Sequence, residues 1–237
     1  MSISTLTIDQ RLVSLTRPTS LEADQYQSLR LSLQRLKAAR DVRMIAMTSP
    51  TTGDGKTLTA INLAGALAGV GSRVLLIEAD LRRPSVANQL GIRGNTAPGL
   101  ADLVLDPSLM LQDALQPLDL GFDVITAGSP TLGVREVFNS PRLEAFLREA
   151  RAHYDFVALD TPPVVPVYDC RLLAPWVDGL LLVVAAHRTP RKLVEESLNL
   201  LDSARVLGIV FNRDDHPLLS YHRRHYYGCR TAKAAQS

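Results

Sequence analysis

Between residues 42 and 212 the chain repeats one arrangement: a short unbroken apolar run, then a polar or helically spaced stretch, then another apolar run. The runs are Val42–Thr48, Val74–Ala79, Phe122–Ala127, Phe156–Asp160, Gly179–Ala186 and Val206–Asn212, and helical segments cover about 56–68, 139–153 and 190–203. A strand with one wet face alternates apolar and polar residues. Runs without that alternation are covered on both faces, and strands separated by helices pair in parallel. The pattern predicts an α/β fold, a mostly parallel sheet with helices on both faces, in a single domain. A chain of 237 residues with 46% hydrophobic side chains can bury one sizeable core and is not a disordered polymer. Ahead of the alternation, Tyr26, Leu29, Leu33 and Leu36 form one stripe of a helix across 24–40, and residues 1–20 read as a flexible lead.

Charge and cysteine usage narrow the function classes. Lys and Arg number 26 against 24 Asp and Glu, a formal charge of +2, so no strong global field draws the chain to nucleic acid. The two cysteines, Cys170 and Cys229, have neither disulfide-framework nor zinc spacing. The first twenty residues lack the apolar block of a signal peptide. The longest uncharged apolar run, Gly179–Ala186, is less than half of the roughly 20 residues a spanning helix needs. A cytoplasmic protein without its own membrane span is expected, with any membrane association coming through a partner.

In parallel sheets ligands bind at the carboxyl ends of the strands. Directly after the first run comes TSPTTGDGKT, Thr48–Thr57, opening an Ala- and Leu-rich helix. Backbone N–H groups and a helix N-terminus face an anion in such a loop: Gly53 and Gly55 let the chain curl, Lys56 bridges phosphates, and the Thr57 hydroxyl is a Mg²⁺ ligand. The strict GxxxxGK[ST] pattern fails, because Pro50 stands where its first glycine belongs. The second run ends with Glu78 and Asp80, two residues apart and so on one side of an extended chain, and the fourth delivers Asp160 before Thr161, Pro162 and Pro163. Any one of these acids alone reads more often as a cap or turn former. Together with the glycine loop they describe a Mg²⁺ and phosphate chamber. Arg82 and Arg83 are either phosphate contacts or ordinary ion-paired or solvated residues.

Taken together, SPTTGDGKT (49–57), LLIEADLRRP (75–84), YDFVALDTPP (154–163), AGS (127–129), YDCRLLA (168–174), VDGLLLVV (177–184) and LGIVFN (207–212) resemble, in order, the motifs of the bacterial tyrosine kinases of the capsule and exopolysaccharide type. These BY-kinases are relatives of the MinD/ParA branch of P-loop ATPases. The resemblance runs from Asp24 to Asn212 and implies a P-loop NTPase fold over 21–215, followed by a basic, tyrosine-containing tail over 216–237. It implies ATP and Mg²⁺ as cofactors, with Gly53, Asp54, Gly55, Lys56, Thr57, Leu58 and Asn212 as nucleotide contacts and Thr57, Glu78 and Asp160 as the metal set. Lys56, Glu78, Asp80 and Asp160 are the catalytic group, and Asp80 is the candidate to accept or orient the tyrosine proton. Two departures from the family motifs stand out, the first being Thr52 in place of the loop's proline. Glu78 occupies a position where the family pattern has Asp. The lysine that MinD and ParA relatives carry early in the loop is Thr51 here.

The family phosphorylates a C-terminal tyrosine cluster, and Tyr221, Tyr226 and Tyr227 lie in the last 17 residues, beside Arg223, Arg224, Arg230 and Lys233 and with no acid. A phosphoacceptor tail is one reading of that cluster. Aromatics packed on the core or on a partner are the other. The family's ring contact is an EAYRxLR-like helix start; residues 24–30 read DQYQSLR, so Asp24 and Arg30 match as oligomer contacts while Gln27 replaces an arginine. The resemblance further implies a homo-oligomer, possibly a ring. It also implies other protein tyrosine substrates, a transmembrane polysaccharide co-polymerase as activator, a place at the inner face of the membrane, and a role in exopolysaccharide or capsule assembly and export. Two rival functions remain: a MinD/ParA-like ATPase switch, and a nucleotide-binding scaffold of the export system without catalysis.

Overall fold

The computed structural model describes residues 8–214 except 93, 95, 96, 117, 130–132 and 166–168. The elements in chain order are α1 Val13–Thr16, α2 Leu21–Arg40, β1 Met44–Thr48, α3 Lys56–Ala68, β2 Val74–Glu78, α4 Val86–Gln89, α5 Leu100–Leu105, β3 Asp123–Ile125, α6 Val134–Phe138, α7 Pro141–His153, β4 Phe156–Asp160, α8 Asp169–Leu173, β5 Gly179–Ala185, α9 Arg191–Leu200 and β6 Val206–Asn212. The six strands form one sheet in the order β3-β2-β4-β1-β5-β6. Every pairing among them is parallel. β1 lies centrally, between β4 and β5; the chain builds β2 and β3 on one side, returns to β4, and then builds β5 and β6 on the other. That makes the carboxyl end of β1 the topological switch point, where an open α/β sheet leaves a crevice.

The strands are apolar throughout because each side chain has a covered face to enter. In β1, Met44 and Ala46 join the core cluster beneath α5 to α8, whereas Ile45 and Met47 join the cluster beneath α2 and α3. Each covered face at about 25 cal/mol per Å² of apolar area is a main source of folding free energy. Helix α2 begins at Leu21, three residues before the start expected at 24, since the Ser20 side chain caps it by accepting from Ala23 N–H. It ends at Asp41 in the left-handed region, φ 53. The helix expected across 139–153 begins as a separate element, α7: Ser140 accepts from Arg142 N–H and Pro141 takes the first turn, the position a helix tolerates a missing N–H.

Part of the expected flexible lead is packed. Leu12 is fully buried, and the buried Asn62 of α3 fastens the segment: its Oδ1 accepts from Ser14 N–H at 2.9 Å and its Nδ2 donates to the Arg11 carbonyl at 3.1 Å. The sequence missed this because two apolar residues, Leu12 and Val13, are too short a pattern to show a period. The tail tyrosines Tyr221, Tyr226 and Tyr227 lie outside the described residues.

Candidate functional site

The glycine loop leaves β1 and turns into α3 through two glycines in left-handed conformations, Gly53 at φ 94 and Gly55 at φ 97. At Gly55 a side chain is excluded twice, because a Cβ there would also lie 1.9 Å from Asn212 Nδ2. The ends of β1 and β4 are tied together beneath the loop: Thr48 Oγ1 donates to the Pro162 carbonyl at 2.8 Å and Thr161 Oγ1 to the Met47 carbonyl at 2.9 Å. The acids carried by the neighbouring strand ends therefore face a fixed loop.

Lys56, the first residue of α3, donates to Asp80 Oδ2 at 2.8 Å and lies 3.5 Å from Asp160 Oδ1. Burial works against its charge, but Asp160 and Asp80 outweigh it and hold the ammonium above its ordinary pKa. Thr57 Oγ1 donates to Asp160 Oδ2 at 2.6 Å and accepts from Ser85 Oγ at 3.1 Å. Asp160 is completely buried, which raises its carboxyl's pKa against the pull of Lys56. Its Oδ1 makes no hydrogen bond. Asp80 is held by Lys56 on one oxygen and by Arg83 N–H on the other, at 3.0 Å. These four groups, Lys56, Thr57, Asp80 and Asp160, come together as the sequence predicts.

Glu78 goes elsewhere. Its Oε1 accepts from the N–H groups of Ser85 and Val86, and its Oε2 from Ala127 N–H at 3.1 Å. Burial, which the three amides only partly offset, pushes its pKa up to about 7. The carboxylate thereby joins the backbone of the loop that follows β2 to the end of β3. Accordingly, no group of three Asp, Glu, His or Cys side chains converges on one point among the described residues. Of the expected metal set, Thr57 and Asp160 are bonded to each other, while Glu78, paired in register with Asp160, fixes the loop that presents Ser85 to Thr57.

Of the remaining predicted contacts, Gly53, Gly55, Leu58 and Asn212 line a cleft of about 660 Å³, whereas the Asp54 side chain is buried beneath the loop and is not part of the lining. Asn212 donates to the Asp54 carbonyl at 2.9 Å. The two arginines left open by the sequence have separate fates: Arg82 makes a two-pronged ion pair with the buried Asp169, while Arg83 lines the cleft. Arg11, Arg188 and Arg213 also line it. No local motif marks them; only the sheet order brings the starts of α1 and α9 and the end of β6 to one place. Asp24 and Arg30 lie on α2, away from the cleft lining, and the Arg30 guanidinium donates to Gln27 Oε1 and Gln34 Oε1, both at 2.7 Å.

The donors fit the groups that the motifs imply. An ammonium and the open N-terminus of α3 suit a polyphosphate. Asp160 Oδ1, which has an ion pair with Lys56 but no hydrogen bond, and the Thr57 hydroxyl are hard oxygen ligands of the kind Mg²⁺ takes together with water and phosphate oxygens. A parallel sheet with this loop, lysine and acid pair at its switch point defines a P-loop nucleotide-binding protein.

Comparison with known proteins carries the assignment further. The model of the AAA domain matches residues 42–189. The tyrosine-protein kinase YwqD of Bacillus subtilis is 32% identical over 224 residues, 93% of this chain and 92% of that one. The putative tyrosine-protein kinase EpsB of Ralstonia nicotianae is 31% identical over 221 residues, 92% of this chain but only 29% of its own length. The chain thus spans nearly all of one curated relative and less than a third of another. The kinase domain of the Escherichia coli tyrosine kinase ETK superposes with a TM-score of 0.79 at 28% identity, covering 85% of this chain and 79% of that one. The chain belongs to the bacterial tyrosine-protein kinase family. No helix among the described residues is long and apolar enough to cross a membrane.

Proposed function

We propose that this chain is an ATP- and Mg²⁺-dependent tyrosine autokinase that modifies its own Tyr221, Tyr226 and Tyr227. The observation that carries the reading is the buried constellation at the end of β1, where Lys56 bridges Asp80 and Asp160 and Thr57 is bonded to Asp160. In this assignment Lys56 and the loop amides hold the phosphates, and Thr57 and Asp160 hold the metal. Bound there, Mg²⁺–ATP supplies the phosphoryl group and charge neutralisation. Asp80 is the acceptor for the tyrosine proton, since it faces the cleft and its second oxygen is fixed by Arg83 N–H. Glu78 is assigned to loop positioning. Chemistry of this kind depends on placement and charge, so displacement of any of these groups lowers the rate.

The biological setting implied by the family is regulation of exopolysaccharide or capsule assembly. A transmembrane co-polymerase would activate the kinase at the inner membrane face, and cycles of phosphorylation would control a homo-oligomer. A non-catalytic scaffold is the second reading, and the withdrawal of Glu78 from the chamber is what favours it. Intact mass after incubation with ATP, with the partner's cytoplasmic segment present, separates the readings. Added masses of phosphate on tail peptides are expected for the wild type and none for Lys56→Met. Phosphate release without added mass would instead mark an ATPase switch, and neither signal would mark a scaffold.

A further inference from the structure

The phosphate loop is held in shape from outside its own motif. Asp54 is only 4% exposed, and its Oδ2 accepts from Thr51 N–H at 2.9 Å and Thr51 Oγ1 at 3.2 Å. Its Oδ1 accepts from the hydroxyl of Thr189 at 2.7 Å, a residue 135 positions away. That hydroxyl in turn accepts from Ala185 N–H at 3.1 Å, at the end of β5. The turn between them is tight: Arg188 N–H and Thr189 N–H both donate to the Ala185 carbonyl, and His187 sits at φ 60. A buried carboxylate must have its lone pairs occupied, and Thr189 supplies the hydrogen bond to Oδ1. The same turn brings Arg188 into the cleft lining beside Asn212 and Arg213. Whereas Arg82 is consumed by Asp169, the Arg188 side chain has no hydrogen bond or ion pair among the described residues.

We infer that the β5–α9 turn is a further wall of the nucleotide site, in which Thr189 is a positioning residue that sets the phosphate loop through Asp54 and Arg188 is the cation presented to the polyphosphate. The inference rests on reading the cleft as a nucleotide site. Titration of the full chain with a fluorescent ADP analogue and Mg²⁺ tests it. Thr189→Val is expected to weaken binding about tenfold by removing a charge-assisted hydrogen bond, and Thr189→Ser to stay within about twofold of wild type. Arg188→Gln is expected to weaken binding by about three- to tenfold and to flatten its dependence on salt. The melting temperature without nucleotide should stay within a few degrees for all three. Where the valine variant does not fold, Thr189→Ala serves in its place.

Equal affinity of Thr189→Val and wild type, equal damage from Val and Ser, or a large melting shift that accounts for the loss would overturn the positioning role. Unchanged affinity and salt dependence in Arg188→Gln would overturn the contact. A wild-type chain that binds no nucleotide would bring down the nucleotide reading itself, whereas a wild type that binds beside unaffected variants would remove this wall alone.

Discussion

Glu78 and Asp80 lie at the same strand end two residues apart, yet their carboxylates have different partners. Asp80 stays in reach of Lys56, while Glu78 spans to three backbone amides on two other segments. Shortening it should therefore act on stability before chemistry. Glu78→Asp is expected to lose about 1–3 kcal/mol, the cost of leaving buried N–H groups without acceptors. Chemical denaturation followed by far-UV circular dichroism measures it, and a variant as stable as the wild type would show that the amides find other partners. The residue's type and place were legible in the sequence. Its direction was not, because side-chain reach has meaning only once the loop carrying Ser85 and Val86 has been placed.

At the scale of elements, the chain depends on close backbone approaches that carry little pattern of their own. Gly99 at the start of α5 meets Gly128 after β3 so closely that a Cβ on Gly99 would lie 2.0 Å from Gly128 N and 2.6 Å from the Thr126 carbonyl oxygen. Leu100 N–H and Ala101 N–H donate to the carbonyls of Thr126 and Ala127 across that contact. Gly99→Ala must separate α5 from the end of β3, and a loss of about 2–4 kcal/mol is expected, read as a lowered midpoint in urea. The AGS motif was visible at 127–129; its physical reason is this approach.

A second element-scale effect lies at the amino end of β4. Asp155 accepts from Arg73 N–H and pairs with Lys37 of α2, and the Arg73 backbone bond first of all lowers its pKa to about 2. The folded value lies below the roughly 3.9 of a free aspartate, so the unfolded chain binds more protons between those values. The carboxylate's contribution to stability is then complete above about pH 4 and disappears as pH falls toward 2. Asp155→Asn should flatten the slope of stability against pH in that window, measured by denaturant titration at several acidic pH values.

At the scale of the whole molecule, Arg30 bears on assembly. The Arg30 guanidinium, at the place where the family pattern puts a subunit contact, is occupied by Gln27 and Gln34 of its own helix. Breaking those bonds opposes any pairing across a subunit boundary, and the side chain at 27 carries no charge to add. The oligomer is expected to be weak and concentration-dependent, with sedimentation velocity at low protein concentration giving the monomer. A tight ring under those conditions would contradict this.

The order of strands and helices, the parallel sheet and the residues Lys56, Thr57, Asp80 and Asp160 were determined by the sequence itself. Short apolar runs alternating with helical stretches point to a doubly covered parallel sheet, and a glycine-rich turn with a lysine at a helix start points to a phosphate loop. Tertiary structure alone decided that Glu78 turns to the backbone, that Arg11, Arg188 and Arg213 reach one cleft, and that Leu12 is core. Those outcomes join segments as far apart as residues 11 and 213, and contacts at such separation follow from strand order and packing rather than from any local pattern.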